Sequence, residues 1–252
     1  MKPEFAESYA AVEAVHWWFC GRRKILSQLL AKEIGWHQGM NVLEVGVGPG
    51  ENLRSLYPET VRICGLEPDA KLAEIARAKS GRVVHTGSIE HLPASLAQAH
   101  FDLITAFDVL EHIADDLAAL RILLARLSVG GRLVLTVPAY QWLWSRHDVA
   151  NEHHRRYAKN DLAAKLNRAG WRTLRMTYFN TLLFPPIAVA RFLQRIPGLT
   201  QSLPQDLDSI PCPINNLLLS VFASEAVWLV HGNLPFGVSI FVVAEPLSLS
   251  AT

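Results

Sequence analysis

Three cysteines, Cys20, Cys64 and Cys212, are spread over 252 residues. They are too few and too scattered for a disulfide framework or a zinc cluster, so a reducing cytoplasm is the expected setting. Neither sign of charge is in excess: 24 Lys and Arg against 23 Asp and Glu leave a formal net charge of +1. Without a global field, no nucleic-acid partner is expected. A clean apolar run of about 18–20 residues is missing too, and with it a reason to expect a membrane-spanning helix. Residues 181–193 are broken by Pro185, Pro186 and Arg191, while residues 217–230 are short and carry Glu225. The first residues, MKPEFAESYAAVEAVHWW, contain no apolar signal-peptide core. The expected location is cytoplasmic, with peripheral contact at the inner face of the membrane left open. No internal repeat or low-complexity segment occurs. Half of the residues are apolar, enough for a sizeable core in one large domain or a core with an insertion.

What is present is one organising stretch, residues 41–52, NVLEVGVGPGEN. A short apolar run carries an acid near its end, and Gly46, Gly48 and Gly50 follow at two-residue spacing. A strand entering a glycine turn and then a helix is the pattern of a nucleotide-type cofactor site. Gly46 and Gly48 lack a Cβ, so a ligand can lie against the backbone there. The spacing is not the G-x-G-x-x-G of dinucleotide binders, and Glu44 would repel a pyrophosphate. A nicotinamide-dependent oxidoreductase is therefore disfavoured. Glu44 suits a ligand carrying an ammonium and a sulfonium, which points to S-adenosylmethionine rather than NAD.

Taken in order, residues 8–34 read as two helices. His16-Trp17-Trp18-Phe19 is followed by Arg22, Arg23 and Lys24. Either these aromatics pack on the core, or the segment is a lid whose Trp18 or Arg22 touches cofactor or substrate. Strands are expected at 42–45, 61–66, 82–85, 101–107 and 132–137, with helices at 51–57 and 70–79. The helix N-terminus at 51 offers free N–H groups to a ligand. Glu67 stands 21 residues past Gly46 at the next strand's end, where an acid accepts ribose hydroxyls. Asp69 suits a helix cap. Ser88 and Ile89, in the turn after the third strand, are placed beside an adenine. Asp115-Asp116 opens a helix expected to run Leu117, Leu120, Leu124 and Leu127 along one face, ended by Gly130-Gly131. The alternation argues for a parallel sheet with covering helices.

These residues carry a resemblance. Glu44-Val45-Gly46-Val47-Gly48-Pro49-Gly50, Glu67-Pro68, Gly87-Ser88-Ile89-Glu90-His91-Leu92-Pro93, Asp108-Val109-Leu110-Glu111-His112 and Leu127-Ser128-Val129-Gly130-Gly131 are similar to the successive motifs of class I S-adenosylmethionine-dependent methyltransferases. They come in that family's order across roughly residues 40–180. The resemblance implies an α/β fold: a doubly wound, seven-stranded, mostly parallel sheet in the order 3-2-1-4-5-7-6, with strand 7 antiparallel and helices on both faces. It implies that Glu44 and the Gly46–Gly48 turn face the methionine part, that Glu67 with Pro68 holds the ribose, that Ser88 and Ile89 flank the adenine, and that Asp108 sits near the methyl donor. Ser88 stands where many relatives carry Asp. More narrowly, HWWFCGRR, VPAYQWLWSRHD and HHRRY resemble a bacterial subgroup associated with lipid, quinone or surface-glycan metabolism. The implied acceptor is a small molecule, a lipid or a glycan-linked group.

The second half holds the acceptor candidates. Residues 139–157, AYQWLWSRHDVANEHHRRY, follow strand five at the carboxyl edge, where ligands bind. His147, Arg155, Arg156 and Tyr157 are substrate candidates, since an arginine pair suits a carboxylate or phosphate. His147, Asp148 and His153 also admit a reading as metal ligands. That reading is set aside because the cofactor already supplies the electrophile, and no metal is expected. His112 and His154 are the candidate proton acceptors. A final strand is expected at 237–244, and the nearly 60 residues before it exceed a hairpin turn. The expected division is therefore a helical lid (1–36), a Rossmann-like core (37–180 and 236–246) and an insertion (181–235). Within the insertion, 185–213 is expected to be irregular and 214–231 helical. Glu225 interrupts a face of Leu218, Val221, Phe222 and Leu229, so it needs an Arg or Lys partner within the fold or a substrate to contact. A binding or scaffold protein that has lost transfer chemistry is the alternative to an enzyme.

Overall fold

Strands buried on both faces read as unbroken apolar runs, because neither side of the sheet meets water. The computed structural model, which describes residues 3–194 and 210–247, follows that rule. Two helices come first, α1 (Pro3–Val15) and α2 (Trp17–Glu33). They are followed by β1 (Asn41–Val45), α3 (Glu51–Ser55), β2 (Arg62–Glu67), α4 (Ala70–Ser80), β3 (Val83–Thr86), α5 (Ala94–Ala97) and β4 (Phe101–Phe107). After a 3-10 turn at Leu110–His112 come α6 (Asp116–Leu124), β5 (Leu127–Pro138), α7 (Arg146–Ala150), α8 (Lys159–Arg168) and β6 (Trp171–Phe179). The described part ends with α9 (Phe184–Leu193), α10 (Cys212–Leu229) and β7 (Ser239–Pro246).

The seven strands form one sheet in the order β3-β2-β1-β4-β5-β7-β6. The pairs from β3 to β5 are parallel, and β7 is antiparallel to both of its neighbours. Order and direction agree with the expectation. Alternate side chains feed two cores. Leu43, Val45, Ile104, Leu135 and Val242 pack with α6 and α8, while Val42, Leu103, Val134 and Phe241 pack with α2, α4 and α10. The arrangement brings the carboxyl ends of β1, β2, β4, β5 and β6, and the start of β7, to one edge.

Three expectations need correction. Strand five begins at Leu127, so Leu127 is not on the preceding helix face and Gly130-Gly131 lies inside the strand. Gly130 has φ +77°, and a Cβ on Gly131 would come within 3.0 Å of the Phe101 carbonyl. The register shifts between Phe101 and Leu103, so the glycines build a bulge against β4. Pro185 and Pro186 do not make the start of the insertion irregular. They occupy the first turn of α9, where a helix needs no N–H donors; the middle of the insertion lies outside the described residues. Finally, α10 begins at Cys212 and reaches 18 residues, long and apolar enough by length and composition to cross a membrane. Here it packs on α2: Phe222 sits so close to Gly21 that a Cβ there would lie 2.5 Å from its ring. Ile214, Leu217, Val227 and Trp228 remain exposed on it.

Two glycines in left-handed backbone separate strain from packing. Gly39 (φ +78°) has open space around it, whereas a Cβ on Gly50 (φ +89°) would meet the Ala76 Cα at 2.8 Å. Gly39→Ala should cost about 1 kcal/mol from backbone strain alone. Gly50→Ala should cost about 3 kcal/mol, because α4 must also move. Urea unfolding of both variants checks this, and equal losses would contradict the packing account.

Candidate active site

The turn after β1 is shaped by what presses on it. Gly46 has φ +68°, and a Cβ there would lie 2.5 Å from Val109 Cγ2, just beyond β4. Gly48 (φ +53°) donates its N–H to Glu67 Oε2 at 2.8 Å, and Glu67 Oε1 accepts from the Asp69 N–H at 3.1 Å. The acid at the tip of β2 is thereby tied to the bend after β1. Burial pushes its carboxyl upward in pKa, and the two amide donors oppose that. Asp69 caps α4 through the Lys71 and Leu72 amides, as expected. Pro68 is exposed, Ser88 is half-buried with its hydroxyl accepting from the His91 N–H at 3.2 Å, and Ile89 is buried in the core beside them.

Glu44 is fully buried. Asn52 donates to its Oε1 at 3.0 Å, and the Tyr57 hydroxyl, held 2.7 Å from Thr105, adds support. Desolvation outweighs both and pushes the carboxyl up to about 7. Glu44 Oε2 and Asn52 Oδ1 are buried without a hydrogen-bond partner. Two unmet acceptors beside a bend free of side chains fit a ligand that brings positive charge, as the ammonium and sulfonium of S-adenosylmethionine do.

The N-terminal helices close over this edge. Arg22, on α2, forms an ion pair with Asp108, and its guanidinium lies over the Trp18 ring at 4.6 Å. Asp108 has φ +56°, a strained backbone for a non-glycine residue, and Thr136 donates to its Oδ1 at 3.0 Å. Trp18, Arg22 and Asp108 therefore meet. Tyr9 and Glu13, on α1, belong to the same group. Burial raises the Tyr9 phenol first, then Glu13, and Arg22, Asp108 and Glu67 are also close enough to act on it. No motif marks Tyr9 in the sequence. A groove of about 790 Å³ lined by Cys20, Arg23, Ser27, Leu56, Ala226 and Val230 shares no residue with this cluster, so concavity alone does not locate the site.

The loop after β5 is clasped to the 3-10 turn after β4. The His154 amide donates to the Glu111 carbonyl at 2.8 Å, and Arg155 donates to the Ile113 and Ala114 carbonyls, each at 2.8 Å. Arg155 also pairs with Asp116, and the Tyr157 hydroxyl donates to Asp116 at 2.8 Å. Arg156 grips Asp148 with two bonds, at 2.7 and 3.0 Å. The donors of Arg155, Arg156 and Tyr157, expected to meet substrate, are engaged within the chain and hold the loop in place. Glu225 is similar, since its Oε1 accepts the Leu182 N–H at 2.7 Å where the chain leaves β6. His147 is half-buried, its ring 6.0 Å from that of His153. His112 lies at the surface with its ring edge-on to His153 at 4.6 Å. Desolvation of the ring's inner edge, then His153, push its imidazole down to about 4. His154 is exposed beside them.

The buried Glu44 carboxyl makes the stability of the ligand-free protein depend on pH. Its folded pKa of about 7 lies above the ordinary 4.5. The favourable contribution is complete below about 4.5 and is lost as pH rises through about 7. Glu44→Gln removes the cost of ionising a buried acid, so its stability relative to wild type should rise by up to about 3 kcal/mol between pH 5 and 9. Urea unfolding of both proteins across that range measures the gap, and a gap that stays constant with pH contradicts the assignment.

Comparison with known proteins agrees with this geometry. The model of a methyltransferase domain family matches residues 16–175. A ubiquinone biosynthesis O-methyltransferase of Idiomarina loihiensis is 25% identical over 209 residues, covering 73% of this chain and 85% of that one. A SAM-dependent methyltransferase of Thermotoga maritima superposes with a TM-score of 0.52 at 26% identity, covering 71% of this chain and 84% of that one. A chain from the complex of the Haloferax volcanii Trm112 methyltransferase activator with its methyltransferase superposes with a TM-score of 0.63 at 18% identity, covering 96% of this chain and 94% of that one. A bend that welcomes positive charge, two acids at neighbouring strand tips, the 3-2-1-4-5-7-6 sheet and a family match over most of the chain lead to one assignment: the protein belongs to the class I S-adenosylmethionine-dependent methyltransferases.

Proposed function

We propose that this enzyme methylates a hydroxyl oxygen of an apolar small molecule or lipid. The observation that carries the proposal is an aromatic shelf on the β5–β7–β6 half of the carboxyl edge. Tyr140 stacks on Tyr178 with centroids 5.2 Å apart and lies 5.8 Å from both Trp142 and Phe184. Phe184 meets Phe236 at 5.4 Å. Trp142 and Phe236 keep 49% and 40% of their surface exposed, so the shelf is available to a flat or greasy acceptor. Arg191 of α9 hooks onto the Ser145 hydroxyl, which ties the insertion to the loop that carries Trp142. The resemblance to the Idiomarina O-methyltransferase of ubiquinone biosynthesis supports oxygen as the receiving atom.

When bound, S-adenosylmethionine supplies a sulfonium-activated methyl group. The chain's work is to hold and align the partners. Glu67 and the Gly48 amide would hold the ribose, Ser88 and Ile89 would flank the adenine with Pro68 at the rim, and Glu44 would favour the cationic end through the Gly46–Gly48 turn. Asp108, its charge balanced by Arg22, would border the methyl. A hydroxyl acceptor must lose its proton, and His112, His153 or His154 would be the group to receive it.

Two measurements check this reading. Glu67→Ala should weaken S-adenosylhomocysteine binding at least tenfold by isothermal titration. With methyl-tritiated S-adenosylmethionine, label should enter the solvent-extractable fraction of a cell extract. Trp142→Ala should raise KM for that fraction about tenfold while leaving S-adenosylhomocysteine binding unchanged. Label confined to protein or polysaccharide would overturn the acceptor class.

A further inference from the structure

We propose that Glu111, His112 and His153 form a binding site for one divalent transition-metal ion on the acceptor side of the transfer site. One ligand atom from each lies within 4.8 Å of the others. Glu111 and His112 come from the 3-10 turn after β4, and His153 comes from the loop clasped against it.

Glu111 supplies the strongest argument. It is completely buried, and both of its carboxylate oxygens lack a hydrogen-bond partner. A carboxyl in that position is costly unless it is paired or coordinates a metal. The nearby cations are engaged elsewhere: Arg22 with Asp108, and Arg156 with Asp148. No side chain among the described residues answers Glu111, whereas a cation between it and the two imidazoles would.

His153 already has the support that a metal ligand needs. His153 Nδ1 faces Asp148 Oδ1 at 2.9 Å, and Asp148 is itself locked by Arg156 and by the Ser145 amide. That contact fixes the ring and turns Nε2 toward duty as a ligand, the carboxylate–histidine–metal arrangement. The His112 ring stands edge-on to that of His153, with centroids 4.6 Å apart. The clasp that positions the loop is thus also the device that assembles the donors. The exposed edge of His112 provides an entry path.

The donor set selects the ion. Two imidazoles and one carboxylate, with no sulfur, suit Zn²⁺, Co²⁺, Mn²⁺ or Fe²⁺ better than Mg²⁺ or Ca²⁺, which prefer all-oxygen shells. Small side-chain rotations suffice to bring the three atoms to bonds of about 2.1 Å. Three protein ligands leave positions open for an acceptor oxygen, and an oxygen on such an ion gives up its proton to water more readily. This deepens, and rests on, the reading of a hydroxyl acceptor, because Glu111 lies three residues beyond Asp108.

The test is metal binding by the full chain, read without turnover. Titration with Co²⁺, followed by its ligand-field absorption, and isothermal titration with Zn²⁺ should each give about one ion per chain. Mg²⁺ should give no heat. Glu111→Gln, His153→Gln and His112→Ala should each weaken Zn²⁺ binding at least tenfold. His91→Ala, a surface histidine outside the cluster, should not. Zn²⁺ should raise the unfolding temperature of the wild type and not that of Glu111→Gln, and His112→Ala, altered only at the surface, covers the case in which a buried substitution fails to fold. Absence of stoichiometric binding, or binding that survives all three substitutions, overturns the proposal. S-adenosylhomocysteine titrated in parallel separates the two readings: its intact binding without metal binding removes only the metal site, and its loss removes the cofactor assignment underneath.

Discussion

The structure depends on the bend between β1 and α3 having no side chains. Val109 presses on it from the end of β4 at Gly46, and Ala76 presses from α4 at Gly50. A methyl group at either point would push apart elements that must converge. Because the bend is thin, the tips of β1, β2 and β4 come together, and Glu44, Glu67 and Asp108 come with them. Each of these acids is then handled differently: one is buried with an oxygen unmet, one is bonded to two amides, and one is neutralised by Arg22.

Two connected systems meet at that edge. The N-terminal half, Tyr9, Glu13, Trp18 and Arg22, lies against the acids from α1 and α2. The loop half, residues 139–157, is stitched to the 3-10 turn after β4 by Arg155, His154 and Tyr157. Asp108 and Glu111 sit between them, three residues apart, and so belong to both. The aromatic shelf continues the loop half outward, and Arg191 links it to the insertion.

The residues proposed for the cofactor side were singled out in the sequence because they lie in contiguous motifs. Residues 44–50 contain both the acid and the bend, and Glu67 follows at a spacing that one strand and one helix determine. The sheet order came from the succession of such motifs, and the structure reproduces it. The acceptor side was harder because residue type there does not reveal the partner. Arg155 and Arg156 have the chemistry of anion binders, and their anions turn out to be Asp116 and Asp148 of the same chain. Glu225 looked like an intruder on an apolar face, and its partners are amides more than forty residues away. Gly130-Gly131 looked like a helix stop, since a bulge against β4 cannot be recognised without β4 beside it. Glu111 escaped notice between Asp108 and His112, because only its three-dimensional surroundings show that nothing pairs with it.

One consequence follows from the state of Glu44. A carboxyl balanced near neutrality responds to the charge of whatever rests against it. A positive neighbour favours its ionised form, and an uncharged one favours its neutral form. Methyl donation turns a positively charged sulfonium into an uncharged thioether. A sulfonium resting near Glu44 would thus add to the ammonium in favouring the ionised carboxylate, and after methyl donation the ammonium alone would do so.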